Sequence, residues 1–218
     1  ANVPADSTGE VSAFMGSQSV LNMKFAAGNL FVGHYGETLG TNATVFFGQP
    51  TTQDIKPVAV RFKIKYARGG INWITINNKY QAATNGTEYH IGSKQIKIIG
   101  GQPDVAKVFL CLTDWKEPHC VNSADEKTFF DPRTAEGVFG LSYFDSDTNP
   151  ELVVEKTDEW HTMTLPIEYS NPEIVPSMLL LTFTCSGYGD YFTGSDASWM
   201  YVDDIELLYD LDETNQPK

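Results

Sequence analysis

Gly187-Tyr-Gly-Asp-Tyr-Phe-Thr-Gly194, continuing through Ser195-Asp-Ala-Ser-Trp-Met-Tyr-Val-Asp-Asp-Ile-Glu-Leu-Leu-Tyr-Asp210, is the stretch whose reading decides the fold. Its first half sets Gly187, Gly189 and Gly194 among Tyr188, Tyr191 and Phe192. That is the composition of a tight loop, since glycine permits positive φ at no steric cost. In its second half Trp199, Tyr201, Ile205, Leu207 and Tyr209 share one parity, and a period of two places side chains on one face of a strand. An aromatic-laden loop therefore delivers the chain into a long terminal strand. Asp203 falls on the same apolar parity, where a carboxylate must be paired, hydrogen-bonded or bound to a cation.

The same periodicity recurs upstream. Val58, Val60, Phe62, Ile64 and Tyr66 alternate with Ala59, Arg61, Lys63 and Lys65, a half-buried strand with one wet, basic face. Residues 105–112 and 178–185 are near-continuous apolar runs, the first reading as a central strand buried on both faces. Residues 160–167 alternate up to Pro166, which marks an edge or a bulge, and Trp160 and Trp199 are assigned to the core. Residues 79–92, polar and rich in Asn, Thr and Gly, read as a long loop carrying Tyr80 and Tyr89. About ten strands and no amphipathic helix imply an all-β fold, a two-sheet β-sandwich of jelly-roll type. Residues 1–218 form one domain, with 1–18 as an N-terminal arm. The expected core holds Val58, Val60, Phe62, Ile64, Val108, Leu110, Leu179, Leu181, Phe183, Ile205 and Leu207.

The loop Gly189-Asp-Tyr-Phe-Thr-Gly194 with the strand Met200-Tyr-Val-Asp-Asp-Ile-Glu-Leu207 resembles the C-terminal signature of the putative carbohydrate metabolism domain family. Ala27-Gly-Asn-Leu-Phe-Val-Gly33, Phe47-Gly-Gln-Pro50 and Phe62-Lys-Ile-Lys-Tyr66 look like its earlier blocks, so the resemblance spans residues 27–210. It implies a jelly-roll sandwich similar to carbohydrate-binding modules, in a secreted or outer-membrane (cell-surface) protein, with any lipid anchor outside this chain. It brings no catalytic motif. In the carbohydrate-binding sandwiches that the terminal strand resembles, an Asp at the place of Asp203 holds a structural Ca²⁺, and Glu10 is the early partner such a site would use. Ca²⁺ needs six to eight oxygens, which one strand does not supply. The other reading is that Asp203 accepts hydrogen bonds from backbone N–H groups and fixes the 187–194 loop. No further cofactor is expected.

A chain of 218 residues suits one large all-β domain. With 41% hydrophobic and 20% charged residues it is far from the disordered regime, and thirteen Phe, ten Tyr and four Trp favour strands. The net charge of −13 repels polyanions, so neither nucleic acid nor an anionic membrane surface is an expected partner. Neutral poly- or oligosaccharides and cations such as Ca²⁺ suit such a surface, although acidity alone commonly serves solubility. No apolar run is long enough to span a bilayer. Ala1 followed by polar Asn2 and Asp6 looks like a trimmed or mature start, and a monomer is expected. Cys111 and Cys185 lie in apolar strand patterns as free thiols and Cys120 in a more exposed place, a Cys111–Cys120 bridge being the alternative. His119 beside Cys120 lacks the second ligand pair of a zinc site.

Glycine elbows around a serine, phosphate-cradling loops and paired-histidine zinc helices are all missing. Glycoside hydrolysis needs only two carboxyl groups about 5–10 Å apart, for which Glu151, Glu155 and Glu168 are candidates of equal standing. Aromatic platforms offer a second chemistry. Trp and Tyr rings stack on the apolar faces of sugars while neighbouring amides and carboxylates bond the hydroxyls. Trp73 with Asn72, Asn77 and Asn78, Trp115 with Asp114, and Tyr188 and Tyr191 with Asp190 have that composition. Trp73, Tyr80, Trp115, Tyr188 and Tyr191 are accordingly the candidate ligand contacts, against the plain alternative that each ring only packs. The classes to separate are a carbohydrate-binding domain, a glycoside hydrolase and a structural or adhesive surface domain.

Overall fold

The computed structural model describes residues 2–4, 11–21, 23–39, 42–51, 56–149 and 159–209. Among them the only helical turns are the short 3-10 segments Glu126–Thr128 and Gly189–Tyr191. Two antiparallel sheets form the body. The first runs Asn2–Pro4, Val11–Gly16, Trp199–Leu208, Ala59–Ala67, His161–Pro166 in spatial order. The second runs Glu168–Tyr169, Val138–Asp145, Lys107–Thr113, Met178–Thr184, Asn29–Phe31. Between them lie Val60, Phe62, Ile64, Tyr66, Met200 and Val202 from one side and Val108, Leu110, Leu112, Phe144 and Phe183 from the other. Phe62 meets Phe183 edge-on at 5.0 Å, joining the sheets through their middle. Burying one such ring is worth roughly 1.5–3 kcal/mol. The chain is thus the two-sheet β-sandwich that its periodicity implies.

The second sheet is buried on its other face as well. Cys111, Met178 and Leu180 pack against Phe47, Phe109, Trp115 and Phe130. Phe47 comes from a three-stranded sheet of Gly33–Leu39, Asn42–Phe47 and His119–Asn122. This double burial is why residues 105–112 lack alternation. The three cysteines are all free, so the Cys111–Cys120 bridge does not form.

Four expectations need correction. Val11–Gly16, placed in a loose arm, is a strand that pairs with the terminal one, Met15 opposite Met200 with both buried. Residues 79–92 are not a long loop: they contribute to two hairpins, Trp73–Ile76 with Lys79–Ala82 and Glu88–Ile91 with Ile96–Ile99. The inward parity of the terminal strand is the even one up to Val202, and a bulge between Asp203 and Glu206 shifts the register so that Leu207 packs inward. A bulge inserts one unpaired residue and so reverses which parity faces the core. Ile205 is consequently 43% exposed rather than part of the core. Trp199 and Trp160 likewise leave the core: both contact Tyr201, which shares the outward parity. Val58, Leu179 and Leu207 are half-buried, and the rest of the expected core is where the alternation puts it.

Candidate functional site

The two hairpins enclose a small core of their own, Ile71, Ile74, Ile91 and Ile98, with Tyr188 and Tyr191 of the glycine-rich loop packed against it. Asn77 and Asn78 turn the first hairpin at φ 50° and 59°. Two consecutive left-handed residues make the tight turn that matches strand twist, and Asn tolerates that conformation. Gly92 at φ 65° and Gln95 at φ 53° serve the second hairpin.

A cleft of about 720 Å³ opens where these turns meet the 187–194 loop. Its aromatic walls are Tyr80, Tyr191, Phe129 and Phe192, its charged groups Lys24, His90, Glu126 and Asp190, and its amides Asn77, Asn78 and Gln95. Tyr191 meets Phe129 edge-on at 5.4 Å. On its other side the ring lies so close to Gly92 that a Cβ there would stand 2.4 Å from Cε1, which no side chain allows. Glu126 accepts a hydrogen bond from the Ser93 N–H at 2.7 Å, which holds its carboxylate at the rim. Burial first, then the charges of Glu126 and Asp190, push the Tyr191 phenol up from its ordinary range, so it enters the cleft as a neutral donor.

Tyr80 is fixed from behind. Its ring stacks on Trp73 at 4.9 Å and 12°, and its hydroxyl donates to Ser19 Oγ at 2.9 Å. Trp73 in turn donates its indole N–H to Asp196 at 2.8 Å, while Asn72 donates to the other Asp196 oxygen at 2.7 Å. Phe192 adopts a left-handed conformation, φ 49° and ψ 42°, to end the Gly189–Tyr191 turn. Such a conformation costs a non-glycine residue about 1–2 kcal/mol. The Lys24 ammonium lies 4.2 Å from the Phe192 ring, and burial pushes its pKa down.

What holds this loop is Asp104, fully buried. One carboxylate oxygen accepts from the Ser195 N–H at 2.8 Å, from Ser198 Oγ at 2.9 Å and from Ser186 Oγ; the other accepts from the Val105 N–H at 2.8 Å. Asp203 has a different position: half-buried on the outward side of its strand, it stands opposite Lys63 and accepts from the Asp204 N–H at 2.9 Å. Glu10, its expected partner toward Ca²⁺, lies outside the described residues, and among those that are described no three acidic, His or Cys side chains gather as a metal site.

Of the five expected ligand contacts, the structure brings Tyr80 and Tyr191 together in the cleft and sets Trp73 behind Tyr80. Tyr188 is packed beneath, its phenol pushed up to about 12 by burial, with the Lys107 ammonium 5.2 Å from its ring. Trp115 belongs to a separate cluster: it meets Phe130 at 5.8 Å and donates its indole N–H to the Glu136 carbonyl. Glu151 and Glu155 lie outside the described residues, and Glu168 is on an exposed edge away from the cleft. The cleft's acids are Glu126 and Asp190 instead. Lys24, His90, Glu126 and Phe129 were not legible as site residues, because only hairpin packing brings their distant segments together.

No curated protein matches the sequence. Among solved structures, a putative glycoside hydrolase from Bacteroides vulgatus superposes with a TM-score of 0.61 at 17% identity, covering 96% of this chain and 76% of the other. A putative glycoside hydrolase from Bacteroides thetaiotaomicron gives 0.57 at 18% identity, covering 96% of this chain and 56% of that one. This chain therefore spans little more than half the length of the latter. At these identities the likeness is one of fold. The sequence itself matches one family over residues 5–208, which takes in every described strand from Val11–Gly16 to the end of the terminal one. By that match the chain belongs to the putative carbohydrate metabolism domain family.

Proposed function

We propose that this is a carbohydrate-binding domain of a secreted or cell-surface protein, taking a neutral oligo- or polysaccharide in the cleft between the hairpins and the 187–194 loop. The observation that carries the reading is the meeting of Tyr80 and Tyr191 in one cleft with Asn77, Asn78 and Gln95. Aromatic faces hold the apolar side of a sugar ring, and amides, phenols and charged groups bond its hydroxyls. Membership of a carbohydrate-related family agrees with it. A net charge of −13 favours an uncharged ligand in a cleft that already holds two carboxylates. The location outside the cell rests on the resemblance to secreted and surface lipoproteins.

Glu126 and Asp190 line the same cleft and support a second reading, glycoside hydrolysis by a carboxylate pair. A glycan array run beside a panel of chromogenic glycosides separates the two. Binding without turnover supports the carbohydrate-binding domain, turnover abolished by Glu126→Gln or Asp190→Asn supports the hydrolase, and neither signal leaves a structural domain.

A further inference from the structure

The outward face of the first sheet carries a second aromatic feature, none of whose residues lines the cleft. In register across it, Phe14 stands opposite Tyr201 and Tyr201 opposite Lys65. Trp160 directly precedes His161, the partner of Ile64, and so falls next to Lys65 on the far side. The rings form a continuous set: Phe14 to Tyr201 at 4.8 Å, Trp199 to Tyr201 at 5.6 Å and Trp160 to Tyr201 at 6.4 Å. Phe14 is 38% exposed, and Tyr201, Trp160 and Trp199 are half-buried.

Charge completes the picture. The strand Ala59–Ala67 points Arg61, Lys63 and Lys65 outward. Arg61 pairs with Glu206 at 2.7 Å and Lys63 with Asp204 at 2.7 Å. Lys65 has no carboxylate partner among the described residues, and its ammonium lies 5.1 Å from the ring centres of both Trp160 and Tyr201. A cation held between two aromatic faces offers its N–H groups to an outside acceptor, and a carboxylate gains most from them because the bond is charge-assisted.

We propose that this face is a second glycan-binding platform, whose ligand is a largely neutral sugar chain bearing a single uronic acid residue. The sugar rings stack on Tyr201 and Trp160 and the carboxylate pairs with Lys65. The net charge of −13 does not forbid this. Screening acts over about 8 Å at physiological salt, so one anion feels mainly its near neighbours, whereas a dense polyanion meets repulsion at every charge.

The test is a tryptophan-fluorescence titration with a xylo-oligosaccharide carrying one glucuronic acid branch and with the same chain unbranched. It is run on the wild type and on Tyr191→Ala, so that binding in the cleft is told apart. The branched sugar is expected to bind about tenfold tighter in both proteins, the worth of a hydrogen bond to a charged group. Lys65→Met, which keeps the side-chain stem and an unchanged melting temperature, removes that preference, and Lys65→Arg keeps it. Trp160→Ala and Tyr201→Ala each weaken both sugars roughly tenfold. The proposal is overturned by equal binding of the two sugars, by a preference that survives Lys65→Met, or by no binding of either at millimolar concentration. It is also overturned if light scattering shows a dimer that Trp160→Ala dissolves, which would give the face to a second copy.

Discussion

Asp104 accepts a 2.8 Å hydrogen bond from the backbone N–H of Ser195, 91 residues further along the chain, and through it the loop that supplies Tyr191 is tied to the start of the central strand. Ser186 and Ser198 donate to the same oxygen. Asp104→Ala strands these donors in a buried site and is expected to cost about 3–5 kcal/mol, read from urea unfolding. A loss below 1 kcal/mol would show that the network is not what fixes the loop.

The same residue gives a pH signature. Burial pushes the Asp104 carboxyl above the ordinary value of 3.8, in spite of four donors. With a folded-state pKa above the unfolded one, the native protein holds a proton that the unfolded chain has released. The stability due to this group is complete below the unfolded value and is lost as pH rises through the folded one. Asp104→Asn cannot titrate. The wild type's unfolding free energy minus that of Asp104→Asn should therefore fall as pH rises from the ordinary value of 3.8 through the window above it. A difference that rises over that window contradicts the assignment.

Gly92 is predicted to be irreplaceable for a local reason. Its φ of 65° disfavours any side chain, and a Cβ would strike the Tyr191 ring at 2.4 Å. Gly92→Ala should destabilise the protein by about 1 kcal/mol or more and displace Tyr191, seen as a changed near-ultraviolet circular dichroism signal. An unaltered spectrum would mean that the ring does not rest on this glycine.

How far the sequence revealed this arrangement depends on the range of the signal. Alternation at 58–66 and the apolar run at 105–112 are local consequences of burial, and both strands sit where that logic puts them. The composition of the terminal strand points to the wrong parity because Trp199 and Tyr201 are large and aromatic, and an outward-facing row of rings has the same composition as a core. The bulge at Asp203 then reversed the parity within the strand, which periodicity does not register. Asn77-Asn78 is the local signal for the first hairpin, since consecutive asparagines suit a left-handed turn. Tyr80 and Tyr191 were legible as aromatics in polar company. Lys24, His90 and Glu126 were not, because each comes from a different hairpin or turn and carries no mark of the cleft in its own neighbourhood.

The sandwich core yields a stability prediction. Phe62 is fully buried and meets Phe183 edge-on between the two sheets. Phe62→Ala should cost roughly 3–5 kcal/mol by chemical denaturation, the transfer loss plus the cavity left behind. A cost near 1 kcal/mol would mean that the sheets close over the gap.

The thiols report on the same packing. Cys120 is exposed while Cys111 and Cys185 are buried, and burial pushes Cys111 up to about 12. Under native conditions a thiol reagent should modify Cys120 within minutes and the other two only after denaturant is added. Rapid native labelling of Cys111 would show that the face covered by Trp115 and Phe130 opens readily.

The central claim is that Tyr80 and Tyr191 form a glycan site, and calorimetric titration of a neutral oligosaccharide selected on the array tests it most directly. Tyr191→Ala and Tyr80→Ala should each weaken binding roughly tenfold by removing a stacking face, while Trp115→Ala, in its separate cluster, leaves the affinity unchanged. Binding unaffected by either tyrosine change, or lost equally with Trp115→Ala, would contradict the account.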